Sequence, residues 1–169
     1  MLLVKNSSKD RSNNYKFMKA TYKTGAINIV ALFLFLVDRA LKVLAEKRIF
    51  EDLNLLPGDW FRFQLTYNPG VAFGMPLNYY FIIFVYVVII LILIWYLVGL
   101  YKTAKYLAIF ASTIVLLGAI SNLLDRIRLG QVVDYLYLKN FSIFNLADTM
   151  ITVGVVILIL ISGKKTVKN

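Results

Sequence analysis

The sequence predicts a membrane all-α fold: a four-transmembrane-helix bundle with a small extracytoplasmic β-sheet between helices 1 and 2. Three observations predict it. Hydrophobic residues make up 60% of the 169-residue chain and the mean hydropathy is +0.72, against roughly 45–50% apolar residues in a soluble domain. The excess is gathered into long uncharged runs, each able to supply the ~20 residues a helix needs to cross the hydrocarbon. Lys and Arg concentrate in alternate connecting segments, as in chains that obey the positive-inside rule.

The elements follow in order. Residues 1–23 carry Lys5, Lys9, Arg11, Lys16, Lys19 and Lys23 against Asp10 alone, and are expected to form a poorly ordered basic cytoplasmic tail. The spans are expected over residues 24–44, 79–100, 106–124 and 144–162. The second and third carry no charge. The first is interrupted near its end by Asp38, Arg39 and Lys42, and the fourth carries Asp148 near its start. Together, residues 24–163 make one integral membrane domain, followed by a short cytoplasmic tail over 164–169. No small-residue cleavage site follows the first apolar run, so a cleavable leader is a poor account of it.

Placing the N-terminus inside puts the six tail cations, Lys102, Lys105, Lys164, Lys165 and Lys168 on that side, against Asp10. The outer side then holds eight cations and eight acids. The formal charge of +10 therefore reports topology, with both termini cytoplasmic, and not a nucleic-acid partner. The first outer segment, residues 45–78, is too long for a bare connector. Its stretch from Trp60 to Tyr67 is aromatic and branched, which suggests a strand between turns at Pro57-Gly58-Asp59 and Asn68-Pro69-Gly70. The second, residues 125–143, contains Gly130 and an apolar–polar stretch from Gln131 to Leu138.

The chain has no Cys and no His. Thiol nucleophiles, His-ligated zinc and Ser-His-Asp chemistry are excluded. The topology instead brings Asp38, Asp125, Asp134 and Asp148 to one depth at the outer face. Ionisable groups near hydrocarbon are costly and tend to face the bundle interior and serve function. Each also has a plainer explanation. Asp38 and Lys42 form an i,i+4 ion pair. Asn145-x-x-Asp148 fits a helix N-cap with an acid three residues on. Asn122-x-x-Asp125 fits a polar contact between spans. Asp134, flanked by Val132, Val133 and Tyr135, is the hardest to explain without a partner. Two other classes stay open on residues alone: a small ion-coupled transporter or channel subunit, and a Ser–Lys protease pairing Ser121 or Ser142 with Lys42.

Four motifs add a family resemblance. Asp38-Arg39-Ala40-Leu41-Lys42, Asn68-Pro69-Gly70-Val71-Ala72-Phe73-Gly74, Asn122-Leu123-Leu124-Asp125-Arg126 with Gly130-Gln131-Val132-Val133-Asp134-Tyr135, and Phe144-Asn145-Leu146-Ala147-Asp148 running on to Gly154 resemble, in order, the motifs of lipoprotein signal peptidases. The departures are Ser121 for a usual Gly, Tyr135 for Phe, a short 14-residue interval between Asp134 and Asp148, and a longer basic tail. The resemblance implies an aspartyl protease of the bacterial cytoplasmic membrane, with its active site at the extracytoplasmic face. It would cleave diacylglyceryl-modified prolipoproteins before the lipidated cysteine. It implies Asp134 and Asp148 as the catalytic pair. Asp38, Lys42, Asn68, Gly70, Asn122, Asp125, Arg126, Asn145 and Ala147 would serve as substrate-binding or supporting residues. No metal and no cofactor are expected. The expected partners are lipid-modified prolipoproteins and membrane lipids, and the protein is expected to be monomeric.

Overall fold

The structure is a computed structural model describing residues 2–50, 53–70, 78–103 and 105–166, with backbone alone for 2–21, 23 and 164–166. Its order is α1 (Leu2–Glu46), β1 (Asn54–Leu56), a 3₁₀ turn (Pro57–Asp59), β2 (Phe61–Asn68), α2 (Tyr79–Thr103), α3 (Tyr106–Leu129), β3 (Val132–Leu138), β4 (Ser142–Phe144) and α4 (Leu146–Thr166). Helix α3 is the hub, packing against α1, α2 and α4.

Three helices among the described residues, Tyr79–Thr103, Tyr106–Leu129 and Leu146–Gly163, are long and apolar enough to cross a membrane. Their outward faces are apolar: Phe84, Leu91 and Trp95 on α2 and Ile159 and Leu160 on α4 are all exposed. Of α2, only Ile82 and Leu100 are buried. A helix that is apolar all round and so little covered by protein suits a lipid surround. The first expected span lies inside α1, which also takes in the basic segment expected to be poorly ordered. From Leu2 to Glu46 the sequence has no Pro and only Gly25, so nothing in it forces a stop.

Helix ends differ from the expected spans for local reasons. Helix α3 runs to Leu129 and stops at Gly130, which adopts φ 75° and returns its N–H to the Arg126 carbonyl at 2.8 Å. Helix α4 starts at Leu146 because Phe144 closes β4 and Asn145 serves as the cap. Close approach of α3 and α4 depends on two glycines. A Cβ at Gly118 would fall 2.7 Å from the Ala147 carbonyl oxygen, and one at Gly154 2.7 Å from that of Ala111.

The sheet corrects one expectation. It is not confined to the segment between the first two spans. It has four antiparallel strands in the order β1-β2-β3-β4, and half of it comes from the segment between α3 and α4. A two-stranded ribbon is marginal alone, and β3 completes it by pairing along β2, with Thr66 opposite Asp134 and Asn68 opposite Val132. The short interval between the two aspartates is spanned by the tight β3–β4 hairpin, whose turn holds Asn140 at φ 61°. One face of the sheet packs inward: Val133 and Tyr135 join Ala45, Leu41, Phe63 and Leu65 in a core under the strands. Alternation along β3 turns Val132 and Asp134 to the other face.

Candidate active site

Two elements bring the aspartates together. Asp134 projects from the middle of β3, and Asp148 from the first turn of α4. Both line one cavity of about 470 Å³, together with Asn68, Tyr86, Asn122 and Arg126. Phe144, Thr149 and Thr152 are among the residues that continue its wall.

The first turn of α4 is a reciprocal capping box. The Asp148 amide donates to Asn145 Oδ1 at 2.8 Å, and the Asn145 amide to Asp148 Oδ2 at 3.2 Å. The capping explanation of Asp148 is therefore correct as far as it goes. Its other oxygen, Oδ1, accepts from Asn122 Nδ2 at 2.7 Å. Asp134 accepts from Asn145 Nδ2 at 2.6 Å on Oδ1 and from Asn68 Nδ2 at 3.2 Å on Oδ2. Asn145 thus touches both carboxylates: Asp134 through its side chain and Asp148 through its backbone. Asp134 is nearly sealed, at 2% exposure. Burial, then the neighbouring Asp148 charge, pushes its carboxyl up to about 7. The Asn68 and Asn145 hydrogen bonds and Lys42 oppose that rise.

Behind the cavity lies a second polar layer. Lys42 is fully buried, with Nζ 2.7 Å from Asp125, 2.8 Å from Asn122 Oδ1 and 3.3 Å from Asp38. Arg39 Nη1 donates to Asp125 at 2.5 Å. The Val133 amide reaches Asp125 Oδ2 at 3.3 Å, tying β3 to α3. Asp38 accepts the Ala147 amide at 3.0 Å, capping α4 from α1. Ala147 acts through that amide, and its methyl is buried.

Arg126 ties the site to the β2–α2 connection. Its Nη2 donates to the Gly70 carbonyl at 2.7 Å, and its guanidinium lies 4.7 Å from the Tyr86 ring centroid. Gly70 in turn donates its amide to Asn68 Oδ1 at 3.0 Å. Of the loop motif, Asn68, Pro69 and Gly70 are described; Val71, Ala72, Phe73 and Gly74 lie outside the described residues.

The predicted residues therefore form one connected network in two layers. Asn68, Asn122, Arg126, Asp134 and Asp148 line the cavity, while Asp38, Lys42, Asp125, Asn145 and the Ala147 amide hold them from behind. Sequence reasoning gave no role to Arg39, Tyr86 or the Tyr135 hydroxyl, and considered the Ser121 hydroxyl only as the nucleophile of a Ser–Lys pair. The last two sit inside or beside motifs, where a polar atom at an apolar position was the available signal. Tyr86 is hidden in an aromatic-rich span and carried none. The Ser–Lys pairing finds no support. Lys42 gives its protons to two carboxylates and an amide, while Ser121 donates to Asp38 at 2.5 Å and Ser142 to the Ile143 carbonyl at 3.2 Å.

Comparison with known proteins identifies the family. The family model described as signal peptidase (SPase) II matches residues 30–163. Over 139 residues the chain is 37% identical to the lipoprotein signal peptidase of Halothermothrix orenii, spanning 79% of this chain and 92% of that one. Over 137 residues it is 42% identical to the lipoprotein signal peptidase of Caldanaerobacter subterraneus subsp. tengcongensis, with the same two coverages. A solved bacterial membrane enzyme superposes with a TM-score of 0.75 at 26% identity, covering 84% of this chain and 90% of its own. Motifs, fold and relatives converge: the chain is a multi-pass membrane protein belonging to the signal peptidase II family.

Proposed function

We propose that the chain is an aspartyl endopeptidase that removes signal peptides from diacylglyceryl-modified prolipoproteins, cutting on the N-terminal side of the lipidated cysteine. Asp134 and Asp148 are its catalytic pair. The observation that carries this reading is that both carboxylates, from different elements, line one cavity and share Asn145 as a hydrogen-bond partner.

Charge supports a single shared proton. Asp38, Asp125, Asp134 and Asp148 are four acids, facing the three cations Arg39, Lys42 and Arg126 in one network. One proton on the catalytic pair balances the set. Two carboxylates in one partly dry site do not both ionise readily. The ionised member takes a proton from water as the water oxygen attacks the scissile carbonyl. The protonated member donates a hydrogen bond to the carbonyl oxygen as it gains charge. The C–N bond then breaks, and the leaving amine takes up a proton from the pair. Because the pair titrates as a unit, the roles belong to the dyad rather than to either residue alone.

Residues 24–44 of α1 are the fourth span, with both termini cytoplasmic and the sheet at the extracytoplasmic face of the bacterial cytoplasmic membrane. Substrate acyl chains remain in lipid while the peptide enters the cavity between the sheet and α4. The clustering of the acids at one end of the bundle, linked through Lys42, Asn122 and Asn145, disfavours an ion path across the membrane. The test is to incubate purified protein with a lipid-modified prolipoprotein and with its unlipidated form. Mass spectrometry should find a cut immediately before the modified cysteine in the first and none in the second. Equal cutting of both would refute the lipid requirement.

A further inference from the structure

Asp38 gathers more donors than its ion pair with Lys42 requires. Its Oδ2 accepts the Ser121 hydroxyl at 2.5 Å, while its Oδ1 accepts the Tyr135 hydroxyl and the Ala147 amide, each at 3.0 Å. The Tyr135 hydroxyl in turn accepts the Leu146 amide at 3.1 Å. Together with Asn145 Oδ1 on the Asp148 amide, this gives each of the first three amides of α4 a side-chain acceptor. Those acceptors come from β3, α1 and the cap residue. Helix N-termini ordinarily leave such amides to water or a single cap. Here the turn that carries Asp148 is pinned from three directions.

The phenol has little freedom. Tyr135 is wholly buried, and its ring lies nearly parallel to that of Phe63, with centroids 6.0 Å apart at 11°. Both hydroxyls stand at positions where the motif resemblance leads one to expect Gly (Ser121) and Phe (Tyr135). Each departure adds a hydroxyl, and the two reach opposite oxygens of one carboxylate.

We propose that Tyr135 and Ser121 are positioning residues that clamp Asp38 and, through it, fix the first turn of α4 so that Asp148 is held toward Asp134 in the cavity. Tyr135 acts twice. It relays the Leu146 amide to Asp38, and it spaces β3, the strand of Asp134, from α4. Removing its hydroxyl leaves the Leu146 amide without this acceptor and Asp38 Oδ1 with the Ala147 amide alone, so that oxygen is held less firmly. The inference rests on the aspartate-pair reading of the site.

The experiment measures kcat and KM on a lipid-modified prolipoprotein for the purified full-length protein in lipid–detergent micelles. The variants are Tyr135→Phe, Ser121→Ala, the double variant and Asp148→Asn, each normalised to folded protein by its thermal transition. Loss of one buried hydrogen bond predicts a kcat about five- to tenfold lower for Tyr135→Phe with KM unchanged. A smaller fall in the same direction is expected for Ser121→Ala. The double variant should lose less than the product of the single losses, because both hydroxyls act on one carboxylate. An unchanged kcat, a loss carried by KM, or a multiplicative double variant overturns the proposal. Activity in Asp148→Asn would overturn the pair reading itself, whereas an inactive Asp148→Asn beside an unaffected Tyr135→Phe would sink this inference alone.

Discussion

At the scale of single residues, several side chains with a plain structural role also line or support the cavity. Asp148 closes a capping box and also lines the cavity. Asp38 and Lys42 form the expected i,i+4 pair, but both are wholly buried and each serves a second helix. That burial sets the size of the effect expected at Lys42. Lys42→Met leaves Asp38 and Asp125 without their shared buried cation. It should destabilise the protein by about 3–5 kcal/mol, where an exposed pair would contribute about 1 kcal/mol or less. Unfolding in detergent checks this. Asn68 makes a pH prediction. The Asp134 carboxyl, raised to about 7, keeps the pair singly protonated until that region, so activity falls as pH rises through it. The same raised value makes its contribution to stability greatest below its ordinary value of 3.8, and that contribution is lost as pH rises toward 7. The Asn68 hydrogen bond lowers the Asp134 value, so Asn68→Ala should move the alkaline limb of kcat/KM to higher pH. A limb that stays in place or moves down contradicts the assignment. The sequence made the acids, amides and Lys42 legible through their spacing. It could not show which oxygen each donor reaches, because that depends on the depth at which four separate helices and strands meet.

At the scale of elements, spans were legible and their partners were not. Uncharged runs set the three crossing helices to within a few residues. Their true ends depended on contacts: Asp125 and Arg126 stay helical because distant groups satisfy them, and α3 stops at the one residue able to take φ 75° without strain. Gly130→Ala should therefore cost about 1 kcal/mol, measured as a shift in thermal midpoint, with little effect at other sites. The sheet was half legible. Residues 60–67 carried a strand signal, but the pairing of β2 with β3 links segments more than sixty residues apart in sequence, and no local pattern announces it. The α3–α4 seam was silent too, although it is built on glycines. Gly154→Val should destabilise the bundle by about 1–3 kcal/mol, since the added atoms meet the Ala111 carbonyl and Val115. Reduced processing should accompany it in proportion to the folded protein lost.

At the scale of the whole molecule, the chain is a bundle hung on α3, capped at one end by a sheet that carries one aspartate toward the helix carrying the other. Charge asymmetry fixes the expected orientation, and the natural absence of Cys makes that orientation simple to test. Thr24→Cys, Lys102→Cys and Ser162→Cys should resist a membrane-impermeant thiol reagent in intact cells, while Asn140→Cys should react. Labelling of Thr24→Cys with protection of Ser162→Cys would remove the first span. The central claim, that Asp134 and Asp148 work as one catalytic pair, is tested most directly by cleavage of a lipid-modified prolipoprotein by Asp134→Asn and Asp148→Asn, each shown to be folded and membrane-inserted. Neither variant should cleave the substrate detectably, and normal processing by either one would rule out the pair.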